Sequence, residues 1–342
     1  MLEGTLYNAF MYELLLKKAM PPGSLGELGE LAITLGGFYK RPLQTFSLLL
    51  FAGDHGICGE EVTHSPQEIT RQQTKNFASG GGACALFAKI NGAQLSVIDV
   101  GVNGTFDPED HVLDYKVGFG TKNFLHQAAM SEEEVAQAIE VGRVIVRHGR
   151  SDLIGFGEMG VANTTSSSAM IAALLDVDPA LVTGKGSGLS DEELKHKIDV
   201  IKQALALHPR RDGGSVLQCF GGFEHAAIVG GILEAHKLHK PILLDGFVVG
   251  AAALVATRLD PSVKQNFIFA HRSAMEGSDL LLKELGCTRP ILDLGMQLGE
   301  GTGALTAWPI VKQASHILFD MGEFEEAGVT NSTKILQEKG LI

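Results

Sequence analysis

With 342 residues, 45% of them hydrophobic, the chain carries enough apolar content for one large core or two domains, which excludes a disordered polymer. Its formal charge of −12, from 28 basic and 40 acidic residues with no basic block, lacks the positive footprint of a nucleic-acid binder and points to small-molecule partners. Cys58, Cys84, Cys219 and Cys287 form no C-x-x-C pair, so free thiols in a reducing, cytoplasmic compartment are expected. Lys17 and Lys18 follow the first apolar stretch instead of preceding it, unlike a secretory signal. No apolar run reaches the roughly 18–20 residues that span a bilayer, so no membrane partner is expected.

In chain order, Leu6, Phe10 and Leu14 form one i, i+4 row and Tyr7, Met11 and Leu15 the next, which predicts an amphipathic helix over Leu6–Met20. Pro21-Pro22-Gly23 ends it, and a second helical segment follows near Leu25–Leu35. Short apolar runs then alternate with longer helical patterns. The runs are Phe46–Ala52, Leu95–Val100, Leu153–Phe156, Ile242–Val249 and Phe267–Ala270; the helical stretches are Ser131–His148, Asp191–Leu207 and Gly222–His239. Runs apolar at every position predict strands covered on both faces, hence a doubly wound α/β domain with a parallel sheet flanked by helices. The tail, Gln313–Ile342, returns to helical character broken at Gly322 and Gly328. Both ends thus lie outside the sheet rhythm, predicting a small helical domain from 1–25 and 312–342 beside a large α/β domain at 26–311.

Each run ends in polar residues, four of the five with a glycine: Gly53-Asp54-His55, Asp99-Val100-Gly101, Gly157-Glu158, Asp245-Gly246 and, without one, His271-Arg272-Ser273. Asp and Gly are ordinary turn residues, but five such endings in succession predict a ligand crevice beyond the carboxyl ends of the strands. Gly155, Gly157 and Gly160 match G-x-G-x-x-G, which would make the chain a nicotinamide-dependent oxidoreductase. Only 13 residues, Asn163–Leu175, separate this turn from Asp176, enough for a helix and too few for the second strand a dinucleotide site requires. What remains is a helix start at Asn163-Thr164-Thr165 suited to a phosphate monoester, or a plain N-cap. Gly184-Lys185-Gly186-Ser187-Gly188 ahead of Lys197 adds a second candidate turn and a cation. Glu300, between glycines and near Met296, Leu298 and Trp308, reads either as a general base with raised pKa or as an acid near a helix start. Metal motifs such as H-E-x-x-H are absent, Asp54-His55 alone assigns no metal, and there is no G-x-S-x-G elbow.

Eight blocks together carry a resemblance: AGDHG (52–56), SPQEIT (65–70), GEMGVANTTSSSA (157–169), GKGSGL (184–189), GGFEHAAIVGGIL (221–233), PILLDGF (241–247), AHRSAMEG (270–277) and LGEGTGA (298–304). In this order the chain resembles the nicotinate-nucleotide:dimethylbenzimidazole phosphoribosyltransferase family, with a looser match over 62–72. The resemblance implies a homodimeric Rossmann-like fold with a helical domain from both termini. It also implies transfer of the 5-phosphoribosyl group from nicotinate mononucleotide to 5,6-dimethylbenzimidazole or a related base, giving nicotinate and α-ribazole 5′-phosphate in the assembly of cobalamin's lower ligand. Its site residues map onto Glu300 as catalytic base and Glu158 near the incoming base. Gly160, Val161, Ala162, Asn163, Thr164, Gly186, Lys197, Asp245 and Ser273 fall at phosphate and ribose contacts, and Thr63, Met159 and Leu298 in the base pocket. A pyridinium leaving group needs no acid and no diphosphate departs, so neither cofactor nor metal is expected. A non-catalytic nucleotide-binding module remains the other alternative.

Overall fold

The computed structural model describes residues 2–186 and 188–340, so Ser187 of the second glycine-rich turn lies outside the described residues. The chain divides into two units, Phe46–Ala307 and Met1–Thr45 with Trp308–Ile342. The second of these takes in the helix Glu27–Gly36, which the boundary expected at residue 26 would place in the large domain.

In Phe46–Ala307 the apolar runs form a six-stranded sheet: β1 (Phe46–Gly53), β2 (Gln94–Gly101), β3 (Leu113–Asp114), β4 (Leu153–Met159), β5 (Ile242–Leu244) and β6 (Phe267–Phe269). Its order is β3-β2-β1-β4-β5-β6, and every pair is parallel. This is the Rossmann order, which reverses direction between β1 and β4 and opens a crevice at their carboxyl ends. The register pairs Phe46 with Leu153 and Ala52 with Met159, so both strands end level at that crevice. Phe46, Leu48, Leu50, Phe51 and Phe156 are fully buried, as expected for strands covered on both faces.

The helices follow their end signals. Ser131 and Ser190 each cap a helix through a reciprocal capping box, with Glu134 and Glu193, and three acids occupy the first turn of each, where the macrodipole favours them. One expectation needs correction, and one strand was not expected at all. The run Ile242–Val249 is strand only to Leu244, because Asp245-Gly246 breaks it and Phe247–Leu259 is a buried helix. That helix is apolar all round, so hydrophobicity alone does not separate it from a strand. β3 has only two residues, both exposed, and leaves no periodic signal.

In the other unit the first helix runs Leu2–Leu16. Of the two predicted rows, Met11 is buried against Ala32, Ile33 and Leu318 with Leu15 packed beside them, whereas Phe10 is exposed.

Candidate active site

The crevice at the ends of β1 and β4 contains a cavity of about 520 Å³. Thr63, Glu158, Met159, Gly160, Val161, Ala162, Asn163, Thr164, Gly186, Lys197, Leu298 and Glu300 all line it. Asp245 and Ser273 do not: they border a separate cavity of about 20 Å³ beside His271. There the Asp245 carboxylate accepts a 2.9 Å bond from the Ala304 N–H, tying β5 to the start of the helix Thr302–Asp320. Lys185, from the second candidate turn, lines the main cavity too, and sequence reasoning did not single out Val62, Ser65, Ile69, Gln73, Met275 and Gln297, which also line it. Ile69 and Gln73 are four apart on the helix Glu68–Ala78 and thus share a face, a spacing visible in the sequence once that helix is located.

The apparent dinucleotide fingerprint has a packing origin. A Cβ on Gly155 would fall 2.7 Å from the Phe46 ring, one on Gly157 2.9 Å from the Glu300 carbonyl, and one on Gly160 2.4 Å from the Gly53 carbonyl oxygen. All three distances are below contact, so glycine is required at each for reasons unrelated to a pyrophosphate. Gly157 in particular lets the segment Leu298–Gly303 lie directly on β4.

That segment makes an abrupt turn. Gly299, Glu300 and Gly301 have φ of 80°, 61° and 73°, so Glu300 is a non-glycine residue held in the left-handed region between two glycines. Its carboxyl group is largely desolvated, and Oε2 is buried without a hydrogen-bond partner. Burial raises its pKa to about 7, the backbone at Cys84 opposes the rise, and the charge on Asp245 adds to it. Its N–H donates to Glu158 Oε1 at 3.2 Å, and Asn163 Nδ2 donates to Glu158 Oε2. Burial pushes Glu158 well above the usual carboxylate range; these two bonds pull it down, and the charges of Asp245 and Glu224 push it further up. Glu158 is therefore no intruder in a phosphate loop: it links β4, the Glu300 turn and the helix Asn163–Leu175.

Across the cavity, Lys197 is almost wholly buried, with Nζ donating to Thr164 Oγ1 at 3.4 Å and to the Gly184 carbonyl at 3.3 Å. Desolvation lowers its pKa to about 8, opposed by Glu276. Of the amides in the turn after Gly160, Val161 N–H already bonds Thr70 Oγ1 at 3.0 Å and Asn163 N–H the Gly160 carbonyl at 3.1 Å. Among the described residues, the N–H groups of Ala162 and Thr164 have no such acceptor. An anion at this helix start would therefore meet two amides, the Thr164 hydroxyl and the Lys197 ammonium.

Behind the turn, the side chains of His55, Glu224 and His225 bring three ligand-type atoms within 4.8 Å of one another, all buried. His55 Nε2 and His225 Nδ1 lie 2.7 and 2.8 Å from the same Glu224 oxygen, Oε1. Burial opposes ionisation of Glu224, but the two imidazoles outweigh it and hold the carboxyl well below the usual range.

A parallel sheet in this order, with a desolvated carboxyl group and a buried cation facing one cavity at its switch point, defines a Rossmann-like α/β enzyme for a small anionic ligand. The phosphoribosyltransferase model DBI_PRT matches residues 7–329, and the chain belongs to that family. It is similar to nicotinate-nucleotide--dimethylbenzimidazole phosphoribosyltransferases from Dechloromonas aromatica, 42% identical over 92% of this chain and 93% of the relative, and Photobacterium profundum, 41% identical over 92% and 94%. A crystal structure of CobT from Thermus thermophilus superposes with a TM-score of 0.90 at 37% identity, over 95% of this chain and 99% of that one. The protein is thus an enzyme of the pentosyl-transferring class, and the oxidoreductase reading is not favoured. No helix among the described residues is long and apolar enough to cross a membrane.

Proposed function

We propose that this chain transfers the 5-phosphoribosyl group of nicotinate mononucleotide to 5,6-dimethylbenzimidazole or a related base, yielding α-ribazole 5′-phosphate and nicotinate for cobalamin's lower ligand. One observation carries the reading: Glu300, with a pKa near 7, shares its cavity with Lys197 and the open amides of Ala162 and Thr164. The names of the relatives support the substrates.

In the mechanism, Lys197, Thr164 and the helix start at Asn163 hold the 5′-phosphate, with Gly186 alongside. The aromatic acceptor lies against Thr63, Met159 and Leu298, near Glu158. One acceptor nitrogen attacks C1′ from the face opposite the pyridinium. The C1′–N bond to nicotinate breaks, its electron pair neutralises the ring, and the anomeric centre inverts from β to α. The acceptor is left cationic, and Glu300 takes the proton from its other nitrogen. A carboxylate acting in this way contributes about 10²–10⁴ in rate, with alignment of the two rings contributing further. No leaving-group acid is needed, because nicotinate departs from a ring that is already cationic. Asp245 and Ser273 act on this reading from behind the site, through the backbone of the Glu300 segment and of Met275. The terminal unit forms a helical domain of its own, and the protein works as a cytoplasmic homodimer.

The test is to incubate the chain with nicotinate mononucleotide and, separately, benzimidazoles, phenols and adenine, and to follow products by mass. Nicotinate together with an α-riboside phosphate of a benzimidazole is expected. Bound nucleotide without nicotinate release would instead establish a non-catalytic module.

A further inference from the structure

The buried cluster behind the turn has no part in the chemistry above. Three features define it. Ser166 Oγ lies 2.9 Å from His55 Nδ1, and Ser167 Oγ lies 2.9 Å from His225 Nε2, so a chain runs Ser166–His55–Glu224–His225–Ser167. All five side chains are essentially without solvent contact. Only one arm of the chain reaches the site: a Cβ placed on Gly160 would lie 3.2 Å from both Cδ2 and Nε2 of His55, so the imidazole packs directly under that glycine.

The donor set would suit zinc, but ligand atoms around a tetrahedral zinc with ~2.0 Å bonds stand about 3.3 Å apart. The 2.7 Å from His55 Nε2 to Glu224 Oε1 is a hydrogen-bond separation, and the 2.8 Å from His225 Nδ1, which accepts the Gly222 N–H at 3.1 Å, is likewise shorter than that spacing. With Glu224 ionised and the His55 ring neutral, Nε2–H donates to the carboxylate and Nδ1 accepts the Ser166 hydroxyl proton. Both edges of the ring are then fixed, one by the first turn of the helix Asn163–Leu175 and the other by the helix Phe223–Lys237.

We propose that His55 is a positioning residue for substrate: clamped between Ser166 and Glu224, its ring supports Gly160 and so sets the Gly160–Thr164 turn in the conformation that receives the phosphate. The inference rests on the transferase reading for its ligand and goes beyond it in assigning a role to a side chain that touches neither substrate. His225 and Ser167 hold the far side of Glu224 and do not reach the turn.

Adjacent serines supply a matched test. Ser166→Ala and Ser167→Ala each delete one buried hydroxyl bonded to one imidazole, from neighbouring positions of one helix, so both should lower Tm by similar amounts. For Ser166→Ala we expect the KM for nicotinate mononucleotide to rise about tenfold, with kcat within about threefold, and affinity for inorganic phosphate in calorimetry to fall in parallel. Ser167→Ala should leave KM and phosphate affinity within about twofold of the parent. Equal effects of the two substitutions on phosphate affinity overturn the proposal, as does zinc co-purifying in stoichiometric amount by elemental analysis. A parent protein that never releases nicotinate counts against the transferase reading alone, since the phosphate titration still compares the two variants.

Discussion

Glu300 combines two properties that oppose stability: a left-handed backbone, which costs an L-residue about 1–2 kcal/mol, and a desolvated carboxyl group. Its folded pKa of about 7 lies above the ordinary 4.5, so the folded chain holds a proton that the unfolded chain releases, and stability falls as pH rises through that window. Glu300→Gln should therefore melt at or above the parent's temperature at pH 8 while losing about 10²–10⁴ in kcat with nucleotide binding retained. Parent-like turnover would remove the residue from the base role. The same values set the pH profile. The base acts as carboxylate, so kcat/KM should rise through about pH 7; Lys197 binds as ammonium, so it should fall through about pH 8. The rising limb should vanish in Glu300→Gln and the falling limb in Lys197→Ala. Glu300 was legible as a candidate because its glycine-rich setting is encoded locally, whereas Lys197, inside the helix Asp191–Leu207, was singled out through the glycine-rich turn ahead of it and the family resemblance. Gln73 was not: it reaches the cavity only through the resting place of a helix from another part of the chain.

At the scale of elements, the site depends on how closely the Leu298–Gly303 segment approaches β4. Gly157→Ala would press a methyl group to within 2.9 Å of the Glu300 carbonyl, and backbone on both sides must move to relieve it. A displacement of that kind is expected to lower kcat about 10²-fold with circular dichroism unchanged, because reacting groups tolerate little misplacement. A Gly157→Ala enzyme with full turnover would show that the contact is slack. The strands that carry the site were readable as uninterrupted apolar runs, and the helices as the stretches Ser131–His148 and Asp191–Leu207, which the structure caps at Ser131 and Ser190. The end of β5 was not, because Ile242–Val249 is apolar on either side of the break at Asp245-Gly246. Glycine spacing misled for a related reason: close packing against Phe46, Glu300 and Gly53 demands the residues that a phosphate loop would demand.

At the scale of the whole molecule, the alternation of strands and helices foretold a parallel sheet, and the polar strand ends pointed to the edge where the cavity lies, but strand order is a property of long-range pairing that no local pattern records. That order brings the Thr63–Gln73 stretch, which follows β1, against the Gly160 turn, which follows β4. Between them the Val161 amide donates to the Thr70 hydroxyl at 3.0 Å. Thr70, buried beneath the wall that Ile69 and Gln73 present to the cavity, thus fixes the backbone to which the proposed function assigns the donor's phosphate. Coupling between the two halves of the cavity is the outcome expected from this bond, and thermodynamic reciprocity requires donor and acceptor to change each other's affinity by the same factor. Calorimetric titration of benzimidazole with and without inorganic phosphate should register that cooperativity, and Thr70→Val, which keeps the shape and deletes the hydroxyl, should uncouple the two ligands.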